Sequence, residues 1–419
     1  MAELRKRKFF YGYTVVAAGF IISGLILGTY RAYGLFFTPI SREFGWSSEL
    51  TSSAYSLTYF MQGLLAIVTG RLTDRLGPKV VLITCGVLLG VGYFLMSQVT
   101  SIWQLYLFFG LLVGAGNSGV DAPLMTTVAR WFKKRRGTLT GITKTGAGIG
   151  MLVIPIAAAQ LISGFGWRNS YVIISIVSLV GIVVAAWFLK RDPSETGEQP
   201  DGVAQVAAAT TSAFQTHQFS VGEAVRTRQF WTFSVAFFLL NFCMQIVMLH
   251  TAPHVINLGI SPTMAATILG TVGGASILGR IGMGGISDRL GYKATCVIAM
   301  AVLIAGLVWI QFAREAWMFF VFTALYGIAH GALWTLISPL LAELFGLRSL
   351  GATFGVVLFI STIGGAIGPI VSGRIFDITN SYQIGFLITL LFSTIALILT
   401  ATLKPTTAKA VAPAALGKV

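Results

Sequence analysis

The chain has 419 residues, of which 55% are hydrophobic and only 10% charged, with 48 glycines and a mean hydropathy of +0.81. This composition excludes a soluble globule with a polar surface and predicts an all-α membrane protein that crosses the bilayer many times. A formal net charge of +15 would point to nucleic acid in a soluble protein, but here Lys and Arg punctuate apolar runs and form no aromatic-interleaved patch.

The start, Arg5-Lys6-Arg7-Lys8, leads into an apolar stretch that runs to Ile40. That is too long for a signal-peptide core and predicts a retained first span that begins in the cytoplasm. Runs long enough for about 30 Å of hydrocarbon, roughly 20 residues each, occur at 11–40, 49–70, 79–98, 103–131, 137–163 and 168–189. Six more follow at 229–257, 263–286, 293–312, 316–345, 350–374 and 382–403. Twelve spans divide into residues 1–189 and 229–403. Between them, 190–228 carries five of the 14 acidic residues and reads as a central cytoplasmic linker with one short surface helix. Residues 404–419 read as a disordered cytoplasmic tail. The cysteines, Cys85, Cys243 and Cys296, lie in apolar runs without CxxC spacing, so neither disulfide nor metal site is expected.

Placing these segments alternately puts 22 of the 29 Lys and Arg on the cytoplasmic side. Four fall at outer loops or helix ends, Arg42, Arg168, Arg314 and Arg374, and three inside spans, Arg31, Lys144 and Arg280. The asymmetry predicts both termini inside. With no signal for another destination, a plasma (inner) membrane is expected.

An internal repeat agrees. GRLTDRLGPK at 70–79 matches GGISDRLGYK at 284–293, and GTLTG at 137–141 matches GATFG at 351–355, both offset by 214 positions. Two copies of a six-helix unit in the same orientation follow. The G-x-x-x-D-R-x-G-x-K pattern in a turn after the second span, repeated after the eighth, resembles the signature of the major facilitator superfamily over nearly the whole chain. The resemblance implies two six-helix bundles rocking about a site near mid-membrane. It also makes Asp74, Arg75, Asp288 and Arg289 gating residues; the plainer alternative is ordinary charged turns.

Two stretches narrow the resemblance to the monocarboxylate transporter family: Arg31 before Tyr33-Gly34-Leu35-Phe36-Phe37, and ARWFKKRRGTLTGITKTGAGIG at 129–150. In the latter, Lys133 to Arg136 anchor a turn at anionic headgroups, and the spaced glycines let a helix pack closely. There are departures. Lys8 to Tyr13 lacks the acidic residue and tryptophan expected upstream. Ser276 stands where animal members carry a proton-coupling aspartate one turn before their arginine. The related oxalate:formate antiporter has a lysine in its eleventh helix, whereas 350–374 has no basic residue before Arg374. One central cation favours a monoanion.

Arg280 is the leading site residue. A guanidinium stays charged, so burying it in a bilayer requires water, a partner or an anion, and its fork of donors pairs bidentately with a carboxylate. Other candidates can each be read as packing instead. Asn117, midway along the fourth span, can hold a carboxylate or hydroxyl oxygen or bond a neighbouring helix. The G-x-G-x-x-G from Gly114 to Gly119 follows no strand and reads as close helix packing. His250, with His254 one turn later, offers a titratable outer group. Asp121 is the acidic alternative, with an ion pair to Lys144 as a possible cytoplasmic gate. Arg31 either attracts anions in the outer cavity or snorkels. Tyr326, His330 and Trp334 share one helix face and form a cavity wall or a packing stripe; Phe359 is a second size-limiting candidate, and Glu343 ends the tenth span.

With no Walker A sequence, ATP is not the energy source. The chain thus reads not as an enzyme but as a cofactor-free symporter, monomeric as a unit, whose partners are a short monocarboxylate such as L-lactate or pyruvate, a proton and the bilayer. Anion exchange of the oxalate:formate type and a transporter-like carboxylate sensor are the alternatives.

Overall fold

A computed structural model describes residues 10–46, 48–202, 218–379 and 381–404. The basic start at 5–8, the middle of the linker and the tail from 405 lie outside them. The described residues contain helices and no strands. In chain order these are α1 (Gly12–Phe44), α2 (Ser48–Leu76), α3 (Pro78–Met96) and α4 (Ile102–Trp131). Arg136–Trp187 is one continuous element except at Gly166, whose φ of 74° reverses the chain; its limbs are α5 before the glycine and α6 after it. Then come α7 (Arg228–Asn257), α8 (Pro262–Leu290), α9 (Tyr292–Ile310), α10 (Ala316–Phe345), α11 (Leu350–Thr379) and α12 (Gln383–Thr402).

Nine candidate spans among the described residues are long and apolar enough to cross a membrane. Helices α2 and α8 are not among these nine; serine, threonine, glutamine and charged residues interrupt α2, and α8 carries Arg280, Asp288 and Arg289. Both pack between other helices, so polarity here marks contact with protein rather than lipid.

Two expectations need correction. The fourth span is not one regular helix: Tyr106–Val113 is a π-helical stretch, and the helix breaks between Asn117 and Ala122. Gly119 and Asp121 therefore sit in a turn, and Asn117 and Asp121 are not stacked one helical turn apart. The charged segments Asp74-Arg75 and Asp288-Arg289 are not turns but the last turns of α2 and α8; the reversal is made by Gly77 and Gly291, with φ of 84° and 87°.

Close approaches between backbones organise the packing. Helix α1 lies against α5 with Gly24 facing Gly146 and Gly28 facing Gly150, and α8 lies against α10 at Gly279 and Gly331. Contacts between the first and second halves of the sequence run along two seams, α2 on α11 and α5 on α8. A side chain at Gly70 would strike the backbone of Gly351, and one at Gly137 that of Gly284, and the reverse substitutions would do the same. Farther along, Gly355 meets Ala66 and Gly141 meets Arg280. Each contact in one seam maps onto the other by the same 214-residue offset, so the repeat in the sequence is a repeat in the packing.

The described part of the linker is docked at the end of the molecule that holds Gly77 and Gly291. The Asp201 carboxylate accepts from the Lys133 and Lys134 amides, and Glu198 accepts from the Tyr11 amide. A one-turn helix, Val221–Ala224, is capped by Ser220 and Glu223, and Gln218 accepts from the Leu347 and Arg348 amides.

Candidate functional site

Arg280 leaves α8 with its side chain 6% exposed as a residue and reaches α5, where Nη1 donates to the Lys144 backbone carbonyl at 2.5 Å. Gly148, one turn on, leaves room beside that nitrogen; a Cβ there would lie 3.4 Å from it. Arg280 Nε has no hydrogen-bond partner among the described residues. A buried donor left open in this way is costly unless a ligand or water meets it.

The Lys144 side chain turns the other way, into an ion pair with Asp121 at the break in α4, and its Nζ lies 5.9 Å from the Trp334 ring centre. Arg280, Lys144 and Asp121 thus form one cluster drawn from α8, α5 and α4, with one positive charge unbalanced. Trp334 continues into the stripe expected on α10: its ring is 6.5 Å from His330, which is 5.7 Å from Tyr326. His330 Nδ1 is buried and unpaired among the described residues, whereas the Tyr326 hydroxyl already donates to the Met244 carbonyl at 2.9 Å. Trp334 also borders a small apolar cavity with Phe237, Leu240 and Met244 of α7 and Ser361 of α11.

The remaining candidates lie apart from that cluster. Asn117 is fully buried, in a segment packed on α1, α2 and α3, and neither end of its amide has a partner among the described residues. His250 is bound through Nε2 to the Pro369 carbonyl at 3.1 Å, its ring 5.1 Å from Tyr382; His254 packs among Phe319, Tyr382 and Phe386. Phe359 faces Phe60 across the α2–α11 seam, 6.3 Å between ring centres. Arg31 donates to the Tyr55 hydroxyl at 2.9 Å and is otherwise exposed.

At the end marked by Gly77 and Gly291, Asp74 accepts from the Gly351 and Ala352 amides at 3.2 and 2.9 Å, and from Arg130 at 3.0 Å. Asp288 accepts from the Gly137 and Thr138 amides at 2.7 and 2.8 Å, and from the Thr138 hydroxyl at 2.6 Å. Each carboxylate meets otherwise unpaired N–H groups and the positive end of a helix dipole. Arg75 and Arg289 are exposed. Glu343 is exposed at the end of α10.

Sequence reasoning missed several of these groups. Arg130, just before the basic run from Lys133 to Arg136, bridges Asp74 and the Leu347 carbonyl. Tyr59 was overlooked as well: its hydroxyl accepts from Asn241 and Gln245 of α7, at 3.1 and 2.9 Å. The signal available was the spacing of Tyr55 and Tyr59 on one face of a helix too polar for lipid.

The close packing of the α5–α8 seam does not run the whole length of α8. The face of α8 that packs on α5 from Asp288 to Ile277 continues through Gly274, Gly273 and Gly270, where nothing lies within 4 Å of an added Cβ. The cluster therefore sits at the end of the close α5–α8 contact, next to a stretch of α8 with no close neighbour.

The Major Facilitator Superfamily family model matches residues 16–314 and 253–418. Human monocarboxylate transporter 11 is 26% identical over 391 residues, covering 90% of this chain and 80% of that protein. Rat monocarboxylate transporter 13 is 27% identical over 382 residues, covering 90% and 85%. An Escherichia coli transporter of the same superfamily type, YhjX, is 24% identical over 343 residues, covering 81% and 82%. Among solved structures, the E. coli fucose:proton symporter FucP superposes with a TM-score of 0.74 at 16% identity, covering 94% of this chain and 99% of that one. The human organic anion transporter MFSD10 gives 0.70 at 15%, covering 93% and 99%. The chain belongs to the Major Facilitator Superfamily, and within it is monocarboxylate transporter-like in sequence.

Proposed function

We propose that the protein is a proton-coupled secondary transporter of short monocarboxylates such as L-lactate or pyruvate. The observation that carries this reading is Arg280: buried, tethered by one nitrogen to the Lys144 carbonyl, and left with an open donor beside a cleft. A planar guanidinium edge matches a carboxylate, and a single unbalanced positive charge matches a monoanion. Trp334 and His330 wall the site, with Tyr326 contributing its ring behind them. Phe359 and His250 limit the cleft toward its open end. A short acid needs little more than one cation, one further polar group and apolar walls.

In this reading 1–189 and 229–403 are two six-helix bundles, twelve crossings in all, and the end with Gly77 and Gly291 faces the cytoplasm. Asp74 and Asp288 latch that end shut while the cleft opens outward, and the reverse state follows when both seams part. The membrane is the plasma (inner) membrane with both chain ends inside, in keeping with the distribution of Lys and Arg.

The test is uptake of radiolabelled L-lactate by proteoliposomes. Accumulation driven by an inward proton gradient supports the proposal. Uptake that requires an internal counter-anion and ignores the gradient replaces it with exchange, and specific binding without flux replaces it with a sensor.

A further inference from the structure

Lys144 is engaged at both ends. Its ammonium is paired with Asp121, while its backbone carbonyl holds Arg280. Asp121 is the N-cap of the second helical piece of α4 but makes no side-chain cap bond there, so its carboxylate is committed to Lys144 rather than to the helix. Its side chain is 14% exposed against 5% for Lys144, which leaves it the member of the pair that water reaches. On α8 the position one turn before Arg280 is Ser276, whose buried hydroxyl has no partner among the described residues.

We propose that Asp121 and the carboxylate of the substrate exchange places on Lys144, which makes Asp121 the proton-binding residue of the transport cycle. In the empty site Asp121 is ionised and holds the ammonium. A proton from water adds to one of its carboxylate oxygens, the ion pair breaks, and the ammonium, still fully protonated, joins the free edge of Arg280 in holding the incoming carboxylate. The inference rests on the carboxylate reading above and deepens it.

Charge accounting gives the coupling. Empty, with Asp121 ionised, the cluster carries one excess positive charge; with proton and anion both bound it carries the same. With the proton alone the excess rises to two, and with the anion alone it falls to zero, so a proton adds to the anion-bound cluster more easily than to the empty one. Each ligand therefore favours the other, and by linkage the effect is mutual.

The surrounding groups leave this role to Asp121. Helix α5 presents Lys144 and α8 presents Arg280. On α10, His330 lies beyond Trp334. Asp74 of α2 is bound at the α11 start together with Arg130 of α4, and Lys79 of α3 lies over Trp187. Arg31 of α1 is on Tyr55, and α11 carries no charged residue before Arg374.

Asp121→Asn tests this in proteoliposomes of the full chain, because the amide mimics the protonated acid. The variant is expected to exchange lactate across equal pH yet lose proton-driven accumulation by about tenfold or more. Its half-saturating lactate concentration should no longer depend on pH, and Asp121→Glu should restore the dependence. Lys144→Gln keeps the carbonyl that holds Arg280 but should raise half-saturation about tenfold. Native accumulation and pH profile in Asp121→Asn overturn the proposal alone, as does unchanged half-saturation in Lys144→Gln, which also decides the matter should the asparagine variant not fold. A native protein that neither exchanges nor accumulates lactate overturns the carboxylate reading and this proposal together.

Discussion

Asp74 and Asp288, 214 positions apart, each cap the first turn of a helix from the half of the sequence to which the other belongs: Asp74 binds the Gly351 and Ala352 amides of α11, Asp288 the Gly137 and Thr138 amides of α5. A carboxylate at a helix start contributes about 1–2 kcal/mol, so Asp74→Asn or Asp288→Asn should shift the balance toward the state open at this end by about 5–30-fold. Asp74→Asn should have the larger effect, since Arg130 loses its partner too. Labelling of a single cysteine placed on α11 near Gly351, in a protein whose buried Cys85, Cys243 and Cys296 are replaced, would rise in both variants; unchanged labelling would show that the contacts do not set the equilibrium.

The seam glycines make a paired prediction. Any side chain at Gly141 meets the Arg280 carbonyl, and any at Gly355 meets that of Ala66. Gly141→Val and Gly355→Val should each disfavour the closed seam by about 1–3 kcal/mol and lower the uptake rate at least tenfold, with the same direction of labelling change as above. Equivalent outcomes at the two positions would show that the repeated geometry operates as a repeated gate.

Tyr59 bonds Asn241 and Gln245 across the halves. Tyr59→Phe removes only the shared acceptor, and because such bonds contribute about 0.5–1.5 kcal/mol each, the thermal midpoint in detergent should fall by a few degrees. No change in the midpoint would mean that water replaces the hydroxyl fully.

Glu43 sets a pH expectation. Hydrogen bonds first from Arg168 and then from Trp167 hold its carboxyl below the ordinary value. The group therefore stabilises the fold when ionised, fully so above the ordinary carboxylate value and progressively less as pH falls through the lowered one. Glu43 and Arg168 are each more than a third exposed, so the contribution is small. Glu43→Gln should lower the thermal midpoint slightly near neutrality, and the difference should close in strong acid; a gap that widens on acidification contradicts the sign.

How much of this was legible in the sequence follows from what each feature depends on. The apolar runs, their glycine boundaries and the repeated Asp-Arg segments are local and could be read directly, and Arg280 stood out because its charge lies inside an apolar run. The Asp121–Lys144 pair was also within reach as an intramembrane acid and base on neighbouring segments. The partner of Asp74 was not, because the amides it binds belong to a helix 277 positions away and backbone donors leave no mark in composition. The break in α4 was missed although its marks are local: Gly119, then Asp121 at the cap and Pro123 in the first turn of the next helical piece, set inside an otherwise apolar run. Tyr59 was hidden by its helix: α2 looked merely less apolar, and which face of it meets α7 is a tertiary fact.

The measurement that bears most directly on the central claim is proton-gradient-driven uptake of radiolabelled L-lactate by the native protein, Arg280→Lys and Arg280→Ala at matched incorporation. The account predicts rapid uptake by the native protein, a loss of about 100-fold or more in the alanine variant, and only partial recovery in the lysine variant, which keeps the charge but not the planar pair of donors. Native-like uptake by Arg280→Ala would contradict it.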